Sequence, residues 1–583
     1  MKKIKNLKPA TIILLAILLI YTIVSFYKLG NNSNPQTYPS MKKSEQVIFE
    51  IESNQVPDKI MLYSGYAESN ISISYTDDYK NYDKYVYDTY LNLDYSNVFR
   101  WINFSINYNG IKSKYIMLES NLDTTAIGEI KLYDADGKEI PIKAIDENSE
   151  KLIDEQECVP EAYSIENSSY FDEIYFPRAA YEILNKLPLY EYVHPPLGKL
   201  IMSIPMYFLG TTPFAYRLCG NIAGIFMILV IYLIAKQLFK RERYALFTAV
   251  IMALDGMHFV QTRIGTVDSM LVLFCLTSFL FFLKYLFAED DEFKKKKMSL
   301  LIAGTFWGMA ISVKWTAAFV GLAMGILYLT KIRKVNLKIL LWSVISFIII
   351  PICIYVASYI PVIADTNESA YLQIYDKEGN VDTEKSRTVR ITDIKSFFEY
   401  QQAMYNYHSK LKATHPYTSK WYEWPAMIRP MWYYVSRPDS ETIGTIACMG
   451  NPAIWWLSIA TAVFTLIYSV VKRSREGAIL LVMILCTWLP YAFIGRVMFI
   501  YHYFITLPFM MLTIVFAISK LAQKWKKIDY LIIDYLIPVL STIFLAFFIY
   551  FYPVYSGMPV SVKYIQSTEW LNTWIYDGLP RND

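Results

Sequence analysis

Long apolar runs dominate the sequence, and about eleven of them predict membrane-spanning helices. A helix needs roughly 18 to 20 apolar residues to cross the hydrocarbon core of a bilayer. The runs lie at 9–29, 214–236, 244–261, 266–287, 299–313, 315–331, 338–361, 452–471, 477–494, 498–519 and 530–552. The fifth and sixth are short and are separated by Lys314 alone, so their boundary is the least sharply defined.

Basic residues cluster in every second connection between these runs. The clusters lie at 240–243, 294–297, 331–334, 472–475 and 520–527. The first run follows Lys2, Lys3, Lys5 and Lys8, and it predicts an uncleaved anchor because it is longer than a signal peptide's apolar region and no cleavage site follows. With the N-terminus in the cytoplasm, all five clusters fall on the cytoplasmic side, as the positive-inside rule requires. The odd number of spans then predicts an external tail at 553–583.

Two hydrophilic segments remain on the outer side. The first, 30–213, alternates apolar and polar residues from about 45 to 145, with a turn signal at Asp136-Gly137, and it predicts a small β-sandwich. The second, 362–451, opens with a polar stretch, continues as an amphipathic helix at about 393–412, and then has an aromatic stretch through Trp424 and Trp432 expected on the membrane surface. The predicted divisions are an anchor helix (1–29), a β-rich insertion (30–150), the first half of the core (151–361), a large external loop (362–451) and the C-terminal helices with their tail (452–583).

Composition narrows the class of protein further. Hydrophobic residues make up 54% of the 583 residues and charged ones only 19%, against about 25% charged residues in soluble proteins. The 56 basic and 52 acidic residues nearly balance, which argues against a nucleic-acid partner. The six cysteines have no metal-ligand spacing, so neither a disulfide scaffold nor a metal site is predicted.

Ionisable residues gather near the predicted outer ends of the spans. Such residues are costly at membrane depth and point to function. Arginine and lysine at this level suit a phosphate, and a neighbouring carboxylate suits a general base. The charges alone fit either a transferase with a lipid-phosphate donor or a transporter of an anionic substrate, and single residues also fit helix starts or interfacial anchors. The set is Asp172, Glu173, His194, Lys199, Arg217, Arg263, Asp268, Lys314, Arg496 and His502.

Five sequence blocks resemble the protein O-mannosyltransferase family, in the family's order. They are "YFDEIYFPRAAYEIL" with "YEYVHPPLGKLIM", "ALDGMHFVQTRIGTVDSMLVLF", "ATHPYTSKWYEWPAMIRPMWYY", "MGNPAIWW" and "GRVMFIYHYFITLPF". The resemblance covers roughly residues 160–583. It implies a GT-C fold: an all-α polytopic membrane protein with about eleven spans, to which this chain adds the β-sandwich.

The resemblance also implies roles for single residues. Asp172 matches the aspartate of the family's Asp-Glu motif and would be the general base, with Glu173 in support. Arg217 matches the arginine that binds the donor phosphate, and His194 and Lys199 would lie beside the donor headgroup. The family's blocks also contain the remaining residues of the set, without a definite role for each: Arg263, Asp268, Lys314, Arg496 and His502.

The implied activity is transfer of mannose from polyprenyl-phosphate-mannose to Ser/Thr hydroxyls of secreted or surface proteins, with inversion and without a cofactor. The active site would face outward from the cell membrane. A GT-C enzyme acting on a lipid or cell-wall polymer stays open, as does, more remotely, a transporter. Eukaryotic members carry a β-trefoil MIR domain in the large loop before the eighth span, and residues 362–451 are too few to hold one. The acceptor is therefore the least determined part of the function.

Overall fold

The computed structural model describes residues 8–52, 55–289, 292–331, 335–524 and 529–576. The predictions made for Lys2, Lys3 and Lys5, for 332–334, for 525–527 and for 577–583 lie outside these residues. The chain forms two compact units. One comprises Met1–Tyr27, Lys186–Ile201 and Leu218–Asp583, and the other Lys28–Asn185 and Met202–Arg217.

Each of the eleven predicted apolar runs is helical, which confirms the helical membrane architecture. Two π-helical turns, Ile345–Ile349 and Ile532–Leu536, join α11 to α12 and α17 to α18. The helices are α1 (Pro9–Phe26), α2 (Glu147–Glu150), α3 (Phe176–Leu184), α4 (Leu197–Leu209), α5 (Pro213–Phe239), α6 (Glu242–Ala253), α7 (Gly256–Thr262), α8 (Asp268–Phe287), α9 (Phe293–Ile311), α10 (Ala317–Leu329), α11 (Leu337–Val344), α12 (Ile350–Thr366), α13 (Ile394–Lys410), α14 (Pro452–Lys472), α15 (Arg475–Trp488), α16 (Leu507–Lys524), α17 (Asp529–Leu531), α18 (Ile537–Ser556) and α19 (Val562–Thr568).

Among the described residues, eight helical segments are long and apolar enough to cross a membrane. The pair α6 and α7, bent by 62°, adds a ninth as a broken span. The other two predicted runs are α9, which begins with the basic residues 294–297, and the 13-residue α10. The prediction missed α4, because its 13 residues are too few to register as a spanning run.

Contacts at the helix ends agree with the predicted alternation of sides. Arg241 at the start of α6 pairs with Asp529 at 2.9 Å, and Arg243 pairs with Asp534. Arg475 donates to the carbonyl oxygen of Leu286 at the end of α8, 2.6 Å away. Lys240 and Arg475 both lie over the ring of Phe287, so the basic connections at 240–243 and 472–475 lie at the same end of the helical unit.

The β-rich insertion is a sandwich of two five-stranded antiparallel sheets, as the alternating pattern predicts. One sheet has the order β1-β8-β3-β6 with β9 beside β8, and the other has the order β10-β2-β7-β4-β5. Val47 and Phe49 of β2 and Ile71 and Ile73 of β4 point into a fully buried core. Burying each such side chain contributes about 1.5–3 kcal/mol. The strands are β1 (Ser40–Met41), β2 (Gln46–Ile51), β3 (Lys59–Ser64), β4 (Ser69–Thr76), β5 (Val86–Leu93), β6 (Arg100–Ser105), β7 (Tyr115–Ser120), β8 (Thr125–Tyr133), β9 (Glu139–Ile140) and β10 (Ile142–Ala144).

The large loop after α12 contains the predicted amphipathic helix, α13, and two small sheets. The hairpin of β11 (Ser369–Tyr375) and β12 (Val381–Arg390) was not predicted. A second sheet joins β13 (Met431–Ser436), β14 (Thr442–Cys448) and β15 (Val560–Ser561). The expected surface location is wrong for Trp424, which is 1% exposed and donates from its indole nitrogen to Ser419 Oγ at 3.0 Å.

Candidate functional site

The Asp-Glu motif lies in a 3-10 turn, Phe171–Ile174, and is held by Arg217. Arg217, in the first turns of α5, is 1% exposed and Glu173 is fully buried. The guanidinium donates from Nε to Glu173 Oε1 at 2.6 Å and from Nη2 to Oε2 at 2.7 Å. This two-pronged pair takes both carboxylate oxygens of Glu173.

The other N–H groups of Arg217 also have protein acceptors. Nη1 donates to the carbonyl oxygens of Leu29 and Ile165, at 2.8 and 2.5 Å, and Nη2 donates to that of Ser168 at 3.0 Å. A guanidinium has five N–H donors, so all five are used. No N–H group of Arg217 therefore remains for the phosphate contact that the resemblance implies. The side chain instead ties the turn to three backbone segments.

Asp172 occupies the position before Glu173 and is half-buried. The preceding residue, Phe171, has φ +52°, a left-handed conformation that costs a non-glycine residue about 1–2 kcal/mol. The ion pair of Arg217 with Glu173 lies next to this strained turn. The turn's conformation, and with it the direction of Asp172, therefore depends on that pair.

The segment before α4 is organised by Glu191, which the sequence did not single out. Lys199 Nζ donates to the carbonyl oxygen of Glu191 at 2.6 Å, to its Oε2 at 2.9 Å and to the carbonyl oxygen of His194 at 3.0 Å. These are all three donors of the ammonium group. Gly198 permits the close packing of α4, because an added Cβ would lie 2.7 Å from a methyl group of Val267. Lys199 therefore has a structural role here.

Glu191 also orients His194. His194 Nδ1 lies 2.7 Å from Glu191 Oε1 and donates to it. Burial alone would raise the pKa of Glu191, but the neighbouring Lys199 and His194 lower this pKa to about 2. Burial lowers the pKa of His194. Glu191 is therefore ionised, and His194 presents a fixed, neutral ring.

Four of the ten predicted outer-face residues line one cavity of about 390 Å³ in the helical unit. His194, Lys314, Arg496 and His502 all line it. The rest of the wall is mostly apolar and aromatic, from Pro195, Trp315, Phe319, Tyr491, Phe493 and Ile494. A cavity of this size with a few convergent polar groups is typical of a small-ligand site.

Arg496 is held by a histidine from α13. Its Nη1 lies 2.9 Å from His408 Nδ1, and His408 Nε2 lies 2.7 Å from the carbonyl oxygen of Val193. Burial, together with the neighbouring His194 and Arg496, lowers the pKa of His408 to about 3. The neutral ring therefore donates from Nε2 and accepts from Arg496, and within the described chain the guanidinium keeps four further N–H groups without an acceptor.

Lys314 provides the second cation. Its Nζ donates to Asp268 Oδ1 at 2.9 Å, where Asp268 begins α8. Asp268, Lys314 and His502 also line a second, small pocket, which shares Lys314 and His502 with the cavity. Lys314 and Arg496 together carry two positive charges, of which Asp268 balances one, so the cavity suits an anion.

The chain matches two family descriptions in succession. Residues 162–364 match the "Dolichyl-phosphate-mannose-protein mannosyltransferase" family, and residues 393–574 match the "C-terminal four TMM region of protein-O-mannosyltransferase". The chain belongs to the protein O-mannosyltransferase family. It is accordingly a membrane-embedded glycosyltransferase.

Two curated bacterial relatives of this family are similar over most of their length. The "Polyprenol-phosphate-mannose--protein mannosyltransferase" of Mycolicibacterium smegmatis is 23% identical, over 69% of this chain and 87% of its own. The protein of the same name from Corynebacterium glutamicum is 24% identical, over 66% and 81%. The Saccharomyces cerevisiae protein O-mannosyltransferase Pmt1-Pmt2 complex bound to the sugar donor superposes with a TM-score of 0.60 at 15% identity, covering 70% of this chain and 89% of that one. This likeness shows the GT-C fold.

Two parts of this protein O-mannosyltransferase lie outside the family matches. The β-sandwich, from β1 to β10, precedes residue 162, and the hairpin of β11 and β12 falls between the two matched regions. By contrast, Asp172, the cavity and α13 all lie within them.

Arg263 lies apart from the cavity lining. Its Nε donates to the carbonyl oxygen of Ser25 at 3.1 Å and its Nη2 to that of Tyr27 at 2.6 Å. Carbonyl groups at a helix C-terminus have no partner within the helix, and a cation there also complements the helix dipole. Arg263 therefore caps the end of α1.

Proposed function

We propose that this protein transfers mannose from a polyprenyl-phosphate donor to Ser/Thr hydroxyls of exported proteins, at the outer face of the cell membrane. The observation that carries the proposal is the cavity with Lys314 and Arg496, in which Arg496 has a neutral histidine and no carboxylate as its partner among the described residues. The names of the bacterial relatives support the donor and the acceptor class.

In this proposal the donor phosphate binds Arg496 and Lys314, and the lipid tail lies along the helices. Arg496 offers paired N–H groups that match a phosphate's oxygens. His408 keeps the guanidinium aimed, and because it is uncharged it does not compete for the anion. The apolar wall weakens screening, which strengthens the interaction of the phosphate with both cations.

Asp172 is the proposed general base. It takes the proton of the acceptor hydroxyl as that oxygen attacks C1 of the sugar. The bond from C1 to the phosphate oxygen breaks, the phosphate leaves with the bonding electron pair, and the anomeric centre inverts. Two cations stabilise the charge that develops on the phosphate, so positioning and electrostatics supply most of the rate enhancement and no metal is required. Glu173, Arg217 and Lys199 act by positioning.

The direct test incubates the purified protein in liposomes with radiolabelled polyprenyl-phosphate-mannose and a Ser/Thr-rich peptide. We expect label on the peptide, and none on a matched peptide in which alanine replaces every Ser and Thr. Label on added lipid or cell-wall polymer, with none on the Ser/Thr peptide, would make the protein a GT-C enzyme with a different acceptor.

Arg496→Ala tests the phosphate site. A charge-assisted hydrogen bond is worth about 1.5–3 kcal/mol, so the KM for the donor should rise about 10- to 100-fold while the KM for the peptide stays the same. Arg496→Lys should recover only part of this, because an ammonium lacks the planar pair of donors. The matched control is Arg390→Ala on β12, an exposed arginine of the loop that contains His408. An unchanged donor KM in Arg496→Ala would remove this residue from the site.

Single cysteines test the side of the membrane. In a background with the six native cysteines replaced, Lys377→Cys, in the turn between β11 and β12, should react with an impermeant thiol reagent added outside intact cells. Ser474→Cys, between α14 and α15, should react only after the cells are opened. External labelling at position 474 would contradict the proposed orientation.

A further inference from the structure

The β-sandwich carries an unusual concentration of exposed tyrosines. Between residues 75 and 95 there are seven tyrosines, of which Tyr75 is fully buried, Tyr79 and Tyr85 are half-buried, and Tyr82, Tyr87, Tyr90 and Tyr95 are exposed. Tyr82, Tyr87 and Tyr90 are 66%, 54% and 60% exposed. Single exposed aromatic residues are common on protein surfaces. A row of them on one strand and its flanks, however, indicates a binding surface.

These tyrosines lie on an edge strand. In the sheet order β10-β2-β7-β4-β5, β5 pairs with β4 alone among the described residues, so its other side presents backbone N–H and C=O groups. The pairing of β5 with β4 is irregular opposite Ile73 and Ser74 and is regular from Thr89 to Leu93. The regular edge is therefore about five residues long, with Tyr90 projecting from it.

This edge leads to the Asp-Glu turn within the same unit. The 3-10 turn that follows β5, Tyr95–Asn97, packs against the turn Phe171–Ile174. The rings of Tyr95 and Tyr175 stack at 6.5 Å. Ser169 N donates to the carbonyl oxygen of Phe99 at 2.9 Å, which fastens the two segments together. A chain added along β5 would thus end beside Asp172.

The charge on this surface is negative. Residues 77–94 contain Asp77, Asp78, Asp83, Asp88 and Asp94 against Lys80 and Lys84. Lys84 is already paired with Asp78 at 3.0 Å. An acidic acceptor segment would be repelled here, a segment with basic flanks would be attracted, and one with neutral flanks would be tolerated.

We propose that the exposed edge of β5 binds the acceptor polypeptide as an added strand, with Tyr87 and Tyr90 against its side chains, and delivers a Ser/Thr hydroxyl to Asp172. The inference rests on the proposed function. A sheet edge recognises main-chain groups that an extended polypeptide has and a glycan lacks, so the occupant is a hydroxyl-rich, extended segment with neutral or basic flanks. A segment of this kind gains affinity from the backbone, and specificity from the tyrosines.

The test compares the wild-type protein with the double variant Tyr87→Ser/Tyr90→Ser in liposomes. We expect the KM for a 20-residue Thr-rich peptide with lysine flanks to rise about tenfold, because aromatic cross-strand contacts are lost. The KM for the donor should stay the same, as should kcat at saturating peptide. A tripeptide with one threonine, too short to span the edge, should show the same KM with both proteins.

The control variant is Lys143→Ser on β10, the opposite edge strand of the same sheet, and it should match the wild type with all three substrates. Glutamate flanks should raise the KM of the long peptide for both proteins, because the aspartates of this surface are unchanged in the double variant. Equal KM values of the long peptide for the wild type and the double variant would overturn the inference, as would inhibition of transfer by soluble mannan through the same tyrosines. Failure of the wild type to mannosylate any peptide would instead overturn the proposed function.

Discussion

Asp172→Asn is expected to lower kcat for mannosyl transfer by about 10²–10⁴-fold, the range that a general base contributes. Asparagine keeps the shape of the side chain and most of its hydrogen bonding but cannot accept the proton. The donor KM should change little, because the phosphate is assigned to Arg496 and Lys314. Single-turnover transfer at saturating donor, measured from pH 5 to 9, separates the chemical step from binding.

A matched control is Asp136→Asn, an exposed aspartate in the turn between β8 and β9 of the same unit. It should leave turnover and unfolding temperature unchanged. Near-wild-type turnover in Asp172→Asn would limit the Asp-Glu motif to an architectural role. That outcome is expected if Asp172 is simply an acidic residue at a helix start. Neutralising such a residue costs only about 0.3–1 kcal/mol of stability.

Glu173→Gln is expected to destabilise the protein by about 3–5 kcal/mol, because it leaves the guanidinium of Arg217 buried without its counter-charge. The family resemblance alone predicts a milder effect, since it assigns Glu173 a supporting role. Thermal unfolding in liposomes or detergent, followed by tryptophan fluorescence, measures the loss. Arg217→Met should be destabilised to a similar extent.

The double variant Glu173→Leu/Arg217→Met distinguishes a structural pair from a phosphate site. Replacing both partners by apolar groups removes the uncompensated charge, so stability should return part of the way towards the wild-type value. The return is incomplete because three backbone carbonyl oxygens lose their donors from Arg217. A direct phosphate ligand would behave differently: Arg217→Met would keep its unfolding temperature and lose only affinity for the donor. That result would return Arg217 to the donor site.

Features with a strong periodic signal could be predicted from the sequence. The eleven apolar runs are helical because length and hydropathy are nearly sufficient in a bilayer, where the backbone must satisfy its hydrogen bonds internally. The sandwich followed from alternation in segments such as 46–51, whose residues alternate between the core and the surface. α13 was predicted in the same way, from the amphipathic period of its residues.

Features that depend on a partner far away in the chain could not be predicted from the sequence. Glu191 carries no local signal, because an isolated glutamate among tyrosines is indistinguishable from a solvated one until Lys199 is seen beside it. The hairpin of β11 and β12 was missed because β12 is largely exposed on both faces and so has no alternation. His408 likewise carries no local signal, because its role depends on Arg496, 88 positions later in the chain.

Arg217 shows the limit of matching residues to a motif. The arginine is where the family pattern puts it, yet its five donors are used within the protein. Spacing along the chain identifies a residue that matters, but the acceptors around its side chain decide whether it matters for binding or for holding a turn. By contrast, the sequence identifies Lys314 and Arg496, the two cations of the cavity, only as members of a larger group of charged residues.

The small sheet of β13, β14 and β15 imposes an order on the assembly of the protein. β14 is paired on one side by β13 and on the other by β15, which follows α18. Trp574 donates to the carbonyl oxygen of Met427 at 2.6 Å, and Thr445 Oγ1 donates to that of Tyr576 at 2.7 Å. A chain is made from its N-terminus, so the loop that supplies His408 emerges well before the residues that close its sheet. The loop between α12 and α14 therefore becomes complete only once α18 has been made, and a ribosome that stalls before residue 560 leaves a protein with most of its helices and an unfinished loop.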